Sequence, residues 1–196
     1  LIFDEVITGW GRTGSAFASH EFGVTPDIMT MAKATTNGIV PMGVVASKEE
    51  IYDTIMDSAP KGTIELFHGY TYSGIPVSVA AALAVQEIFE KDDIFNRAKD
   101  LTPYFQEAIF SLKDMDVVEN IRGYGMMAGV DIKMDQKPGR AGFTCFKHCY
   151  EVGVNFKATG DCLIIAPMFI SEKKHIDEII EKLRTGITSY SKSKKN

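Results

Sequence analysis

Lys33 is the residue of this 196-residue chain whose type and position best suit covalent chemistry. It follows the apolar stretch 28–32 and precedes the small polar stretch 35–38. A lysine held in a low-dielectric cleft loses its proton more easily and can then form a Schiff base with a carbonyl group. A surface lysine that ends a strand is the alternative, and it is the commoner case. Lys33 alone therefore does not define a site.

Two adjacent acids, Asp4 and Glu5, lie towards the end of the apolar run 1–6. The run predicts a buried strand that carries the acids at its carboxyl end. In an open α/β sheet, ligands bind at the carboxyl ends of the strands. A pair of solvated loop acids is the alternative, and position alone does not separate the two interpretations.

A third feature is the stretch 68–74, HGYTYSG, which is dense in hydroxyls and glycines and directly precedes a predicted helix. Hydroxyl groups and backbone N–H groups near a helix start can bind phosphate. An ordinary capped loop explains the stretch equally well when it is taken alone.

Taken together, the three features match the needs of one cofactor. Pyridoxal phosphate (PLP) requires a carboxylate that keeps its ring nitrogen protonated, a lysine amine for its aldehyde, and donors for its phosphate. Asp4, Lys33 and the stretch 68–74 offer one of each in chain order. The sequence therefore predicts a PLP site.

The run LIFDEVITGWGRTG (residues 1–14), followed by DIMTMAK (residues 27–33), resembles the signature of class III aminotransferases. The resemblance is close over residues 1–43 and returns at 68–76. It implies fold type I, an α/β fold, with Asp4 on the pyridine nitrogen and Val6 against one ring face. Lys33 would form the internal aldimine. Tyr70 and Thr71 would bind cofactor, with Thr71 on the phosphate of a neighbouring subunit, so the active site would be shared in a homodimer.

Three further segments are similar to the sequences of the omega-amino acid:pyruvate group of that family. They are TNG at 36–38, PMG at 41–43 and YTYSG at 70–74. This resemblance implies transfer of an amino group from an omega-amino acid or amine, of the β-alanine type, to a keto acid such as pyruvate. A decarboxylase, aminomutase or racemase on the same scaffold shares Asp4 and Lys33. A non-catalytic module is the alternative from another class.

The sequence departs from the family pattern at Ile75, where a histidine is usual, and at Lys157, where many relatives carry an arginine that binds a substrate carboxylate. Lysine offers a point charge without the two-pronged fork of a guanidinium. Lys157 and Trp10 are the predicted substrate-binding residues. No metal site is expected, because the histidines are scattered along the chain.

The predicted elements form two domains. Residues 1–91 would be the C-terminal part of a large PLP-binding domain with a mainly parallel sheet, and residues 92–196 a small α+β domain.

Ser47 and Glu50 predict a capped helix to Met56. A helix from Pro76 is expected to be buried all round over 79–85, and the next, to Leu112, to be interrupted at Pro103. The remaining predicted strands are 28–32, 42–46, 117–121, 126–132, 154–156 and 163–166, and the remaining predicted helices are 16–22, 143–151 and one capped by Ser171 that reaches Tyr190.

The composition argues against two classes of function, nucleic-acid binding and membrane insertion. A net charge of −5 gives no basic surface for nucleic acid, and no apolar run approaches the ~20 residues that cross a bilayer. Three cysteines without a Cys-x-x-Cys pair favour a reducing, cytoplasmic location over a disulfide framework. The chain begins inside a predicted strand, so it is expected to be the C-terminal half of a longer enzyme. The other half would supply the remaining phosphate donors, and the 196 residues alone are expected to be inactive.

Overall fold

The computed structural model of the chain describes residues 1–63, 68–134 and 137–194. The chain divides into two compact units, Leu1–Phe95 and Asn96–Asn196. The functional assignment of two domains, 1–91 and 92–196, remains a prediction. Within the described ranges, no helix is both long and apolar enough to span a bilayer.

The first unit is built on a three-stranded sheet in the order β1-β2-β3. Its strands are β1 (Ile2–Asp4), β2 (Ile28–Met31) and β3 (Val44–Ser47). The pair β1–β2 is parallel, which sets Asp4 opposite Thr30, and the pair β2–β3 is antiparallel. Helices α1 (Ala18–Glu21), α2 (Glu49–Ser58) and α3 (Pro76–Lys91) belong to the same unit, and α3 packs against a short 3₁₀ helix, Lys33–Thr35.

Two elements of this unit whose apolar residues predict burial are partly exposed in the described chain. For β1 this is expected of a chain that begins inside a sheet. Strand β1 lies at the edge of the described sheet, and the side chains of Leu1 and Ile2 are 62% and 64% exposed. Helix α3 buries one face and exposes another. The buried residues are Ser78, Ala82, Val85 and Phe89. The exposed apolar residues are Val77, Leu83 and Ile88. Both elements thus present apolar surface to solvent.

The predicted capping box of α2 is wrong. Ser47 stays in β3, where it pairs with Ile28, and the N-cap residue is Lys48. Lys48 donates its backbone N–H to Asp27 O (2.9 Å), and its ammonium group pairs with the Asp27 carboxylate (2.6 Å). These contacts fix the start of α2 to the start of β2, so Ser47 is not available as a cap.

The second unit contains a four-stranded antiparallel sheet in the order β4-β5-β7-β6. The strands are β4 (Val118–Tyr124), β5 (Met127–Ile132), β6 (Lys157–Thr159) and β7 (Cys162–Ile165). The helices are α4 (Ile94–Phe110), which begins in the last residues of the first unit, α5 (Ala141–Glu151) and α6 (Lys173–Ser193). One hydrophobic core joins these elements, and its fully buried side chains include Phe105, Ile109, Leu163, Ile176 and Leu183. Cys145 and Cys149 are buried in the same core, as their shared helix face predicts.

Three boundary predictions in this unit are wrong for identifiable reasons. Helix α4 runs through Pro103, because Leu101, Phe105 and Ile109 are buried at intervals of four residues and hold both halves against the core. Strand β6 begins at Lys157 instead of Val154, because Val154 N–H donates to Cys149 O (3.1 Å) and closes the end of α5. Helix α6 is capped by Glu172 in a reciprocal capping box with His175, instead of by Ser171.

Candidate active site

Asp4 and Lys33 follow adjacent parallel strands at the same edge of the sheet. Asp4 is the last residue of β1 and pairs with Thr30 in β2. Strand β2 ends at Met31, and Lys33 then begins the 3₁₀ helix. Both residues are exposed. Because the carboxyl ends of parallel strands meet at one sheet edge, the carboxylate and the amine are available from the same side of the first unit.

Glu5, the second acid of the predicted pair, belongs to the interior of the unit. Its side chain is 1% exposed. The carboxylate accepts hydrogen bonds from Ala18 N (3.0 Å), Ser19 N (2.8 Å) and the hydroxyl of Thr8. Ala18 and Ser19 begin α1, where free N–H groups favour a negative charge. Glu5 therefore anchors α1 and is not available to a ligand.

Asp4 has the opposite environment. Its two hydrogen bonds, from Val6 N (3.1 Å) and the Thr30 hydroxyl (3.4 Å), both reach Oδ1. Among the described residues, nothing donates a hydrogen bond to Oδ2. The carboxylate is thus held in place through one oxygen and can accept a charge-assisted hydrogen bond from a ligand N–H through the other. Val6, predicted to contact a cofactor ring, is half-buried directly beside it.

The different roles of the two acids predict different stability losses. Glu5→Gln removes the charge that three donors share, so we expect the free energy of unfolding of the first unit to fall by about 1.5–3 kcal/mol. The matched variant Asp4→Asn changes an exposed acid and should stay within about 0.5 kcal/mol of the parent. Trp10 is the single tryptophan and lies in the first unit, so its fluorescence during urea titration measures both changes. Equal losses in the two variants would contradict the assignment of Glu5 as the anchor.

Lys33 has a left-handed backbone, with φ of +49°. Such a conformation costs a residue with a side chain about 1–3 kcal/mol and persists only where the surroundings impose it. Asn37 and Gly38, which follow the 3₁₀ helix, are also left-handed, with φ of +50° and +76°. The predicted turn at these two residues is confirmed, whereas no feature of the sequence indicates the conformation of Lys33 itself.

Trp10 lies in the glycine-rich loop after β1 and reaches the lysine segment. Its indole Nε1–H donates to the Thr35 hydroxyl (2.9 Å), and its ring packs against Phe17 (centroids 5.1 Å apart) and Phe89 (6.4 Å). Arg12 lies in the same loop, and burial lowers its pKa to about 10, so its guanidinium remains charged at neutral pH. The predicted contact of Trp10 with substrate stays a prediction.

Tyr70 and Thr71 lie in the turn 70–74 that leads into α3. Ser73 N donates to Tyr70 O (2.9 Å), and Pro76 occupies the first turn of the helix, as predicted. Both Tyr70 and Thr71 are exposed. Within the described part of the chain, no hydrogen bond links either residue to Asp4 or Lys33. Their role in binding phosphate stays a prediction.

Lys157, in the second unit, is exposed and opens β6 opposite Ile164. The turn that follows is fixed by Asp161, whose carboxylate accepts hydrogen bonds from Gly139 N (2.7 Å) and Ala141 N (2.9 Å) at the start of α5. A Cβ at Gly142 would lie 2.5 Å from Gly160 O, so the helix and the turn touch through their backbones. No prediction from the sequence includes Asp161, whose only signal is an acid next to a glycine at a tight turn.

The donor set of the first unit fits two of the three requirements of PLP. Asp4 supplies a carboxylate with a free oxygen, and Lys33 supplies an exposed amine on the neighbouring strand end. For the third requirement, the phosphate, the unit offers the exposed hydroxyls of Tyr70 and Thr71. In the described ranges, no three His, Cys, Asp or Glu side chains gather where they could hold a metal ion.

Known proteins resemble the chain over nearly its whole length. An omega-aminotransferase of Caulobacter vibrioides is 46% identical over 187 residues, which cover 94% of this chain and 42% of that protein. A beta-alanine–pyruvate aminotransferase of Pseudomonas aeruginosa is 38% identical over 193 residues, 97% of this chain and 43% of that protein. A solved transaminase with L-ala matches with a TM-score of 0.90 at 33% identity, over 98% of this chain and 47% of that one.

The chain thus spans less than half the length of the curated relatives it matches. Its mixed α/β fold matches transaminase structures over that partial length. The family described as aminotransferase class-III matches residues 1–187, which include Asp4, Lys33, Thr71 and Lys157. The chain belongs to the class III aminotransferases.

Proposed function

We propose that the protein containing this chain uses PLP to transfer an amino group from an omega-amino acid or amine, of the β-alanine type, to a keto acid such as pyruvate. The observation that carries the proposal is the pair Asp4 and Lys33, exposed after adjacent parallel strands while Glu5 is directed into the interior. Relatives that match the chain bear the names omega-aminotransferase and beta-alanine–pyruvate aminotransferase, which supports this choice of substrates.

Asp4 would hold the ring nitrogen of the cofactor. Its Oδ1 is fixed by Val6 N–H and the Thr30 hydroxyl, which leaves Oδ2 to accept the ring N–H and keep it protonated. When bound, PLP supplies an electron sink for the charge that develops at the substrate carbon. Val6 would pack against one face of the ring.

Lys33 would have two tasks in sequence. Its Nζ would hold the cofactor at the aldehyde carbon. Its free amine would also move a proton at the substrate carbon, as general base and then general acid. Exposure of Lys33 and the left-handed backbone beneath it support a side chain that is accessible and aimed by its turn.

Substrate recognition would use Lys157, with Trp10 as a second contact. Lys157 lies at the start of β6, and Asp161 fixes the turn at the other end of this strand, so a charged side chain is presented on a fixed hairpin that suits binding of a substrate carboxylate. An ammonium group binds a carboxylate without the paired geometry of a guanidinium. The proposed substrates therefore include amines. They also include omega-amino acids whose carboxylate does not need the paired hydrogen bonds of a guanidinium.

The active site would be shared between two copies in a homodimer. Thr71, with Tyr70 beside it, would reach the phosphate of the neighbouring subunit's cofactor. The exposed apolar residues Val77, Leu83 and Ile88 on α3, directly after this turn, support an interface there. Residues 1–91 would be part of the large domain of a fold type I enzyme, with a mainly parallel sheet in the complete domain, and residues 92–196 its small domain. The cytoplasmic location stays a prediction.

The test uses protein expressed from the complete reading frame that contains this sequence, supplied with PLP, β-alanine and pyruvate. We expect β-alanine to disappear and alanine to form in equal amounts, with no reaction when pyruvate is omitted. Release of carbon dioxide without pyruvate would identify a decarboxylase, and isomerisation of β-alanine without pyruvate would identify an aminomutase. Racemisation of L-alanine, supplied in a separate assay without pyruvate, would identify a racemase. Each of these outcomes would overturn the proposal.

The 196-residue chain alone is the matched comparison. It retains Asp4 and Lys33, but we expect weak or no PLP binding and no turnover, because Thr71 and Tyr70 alone are too few phosphate donors. Borohydride reduction followed by mass spectrometry measures the covalent adduct on Lys33. A stoichiometric adduct with measurable alanine formation would show that these residues suffice.

A further inference from the structure

The left-handed conformation of Lys33 needs a cause, since its own side chain disfavours it. At φ of +49° a lysine carries a backbone strain that asparagine or glycine would reduce. The turn around it is closed by Thr35 N–H, which donates to Ala32 O (3.0 Å), so Lys33 and Ala34 are its central residues. A single backbone hydrogen bond in a turn does not by itself select this conformation, because other turn types make the same bond.

A second hydrogen bond comes from the Thr35 side chain. The Thr35 hydroxyl donates to the same Ala32 O (3.0 Å) and accepts the indole N–H of Trp10 (2.9 Å). Since the hydroxyl's one proton is used on Ala32, Trp10 fixes the direction in which the hydroxyl points. Thr35 is 2% exposed, so water does not compete for these bonds. The indole thus sets the geometry of the turn that carries Lys33.

Trp10 is itself held firmly from the other side. Its backbone N–H donates to Ala16 O (2.6 Å), and its ring packs against Phe17 and Phe89. The preceding residue, Gly9, donates to Glu5 O (3.0 Å), and a Cβ at Gly9 would lie 2.8 Å from that oxygen. Glu5 is the buried neighbour of Asp4. Hydrogen bonds and neighbouring residues therefore connect the strand end that carries Asp4 to the turn that carries Lys33 without interruption.

We propose that Trp10 and Thr35 are positioning residues, which hold the backbone of Lys33 in its left-handed conformation and thereby set where its amine lies relative to Asp4. The task of that amine rests on the proposed function, whereas the conformational link does not. This role differs from the predicted contact of Trp10 with substrate, because here the indole acts through Thr35.

The test compares four single variants and one double variant. Thr35→Val removes the hydroxyl at nearly constant volume, Thr35→Ser keeps it, and Trp10→Phe keeps an aromatic ring but removes the N–H. The matched control is Thr13→Val, the same change at a buried threonine in the Trp10 loop whose hydroxyl has no hydrogen-bond partner among the described residues. The double variant is Trp10→Phe with Thr35→Val.

The first readout needs no cofactor. In the 196-residue chain, the one-bond Cα–Hα coupling and the intraresidue HN–Hα NOE of Lys33 report the sign of φ by NMR. We expect Thr35→Val and Trp10→Phe each to reduce the ratio of left-handed to other conformers by about tenfold, the factor that corresponds to ~1.4 kcal/mol. The double variant should lower this ratio no further than either single variant does, because both substitutions remove the same hydrogen bond. Thr35→Ser and Thr13→Val should keep the parent signature.

The second readout is the kinetics of the complete enzyme. In Thr35→Val, a misplaced amine should lower kcat by about tenfold or more, while KM for the amino donor stays within about twofold. Unchanged NMR signatures in Thr35→Val and Trp10→Phe would overturn the inference, and so would a Thr35→Ser variant that behaves like Thr35→Val. If the conformers change as expected but the parent enzyme performs no transamination, the proposed function fails and the positioning link stands.

Discussion

Replacing Lys33 with alanine in the complete enzyme is expected to abolish transamination and the borohydride-reducible link to PLP at the same time. Both need a primary amine at this position, first to hold the cofactor and then to move the proton. Lys33→Arg should be equally inactive, because a guanidinium remains protonated and cannot act as the nucleophile. Absorbance of the yellow holoenzyme measures the first loss, and alanine formation from pyruvate measures the second.

Lys48→Ala is the matched control for this prediction. Lys48 is another partly exposed lysine of the first unit, and its ion pair with Asp27 contributes little at the surface. This variant should keep its colour and its turnover. Full turnover in Lys33→Ala would remove Lys33 from the mechanism and, with it, the basis of the proposed function.

The second large effect is expected for Asp4→Asn, with a loss of about 10²-fold or more in kcat while the cofactor is retained. Asparagine has the size of aspartate and can still accept from Val6 N–H and the Thr30 hydroxyl, so the strand end should keep its shape. What it lacks is the charge that keeps the ring nitrogen protonated. Steady-state kinetics at saturating PLP measure the effect.

Asp27→Asn is the control here, since Asp27 is a half-buried acid just before β2 that pairs with Lys48. It should remain within about twofold of the parent in kcat, as expected for a surface change away from the site. Activity close to the parent in Asp4→Asn would leave Asp4 as a structural acid only.

The sequence predicts Asp4 and Lys33 at the ends of two strands, because strand ends and apolar runs can be read from residue types, and the structure places them there. The separate roles of Asp4 and Glu5 can be predicted from the sequence only in part. Side chains alternate along a strand, so adjacent acids must point to opposite faces. The face that is covered depends on α1, a helix of four residues. Glu5 accepts hydrogen bonds from the first two N–H groups of this helix. So short a helix has no periodicity from which its packing could be predicted.

Other features depend on contacts between residues distant in sequence. The left-handed φ of Lys33 requires Trp10 and Thr35, 25 residues apart, to meet through one hydrogen bond. The start of β6 depends on Val154 closing the end of α5, although its residue type favours a strand. Helix α3 carries apolar residues on its exposed face (Val77, Leu83 and Ile88) as well as on its buried face (Ala82, Val85 and Phe89). Residue types alone therefore do not determine these three features.

The proposed substrate contact Lys157 lies on a hairpin that other residues hold in place. Its position is set by the backbone contact of Gly142 with Gly160 and by Asp161 at the start of α5, and none of these contacts involves residue 157. Position 157 is therefore free to change its side chain without altering the scaffold that presents it. Under the proposed role of Lys157, donor preference can change at this position at little cost in foldability, so position 157 is a starting point for engineering or evolving activity on new amine substrates.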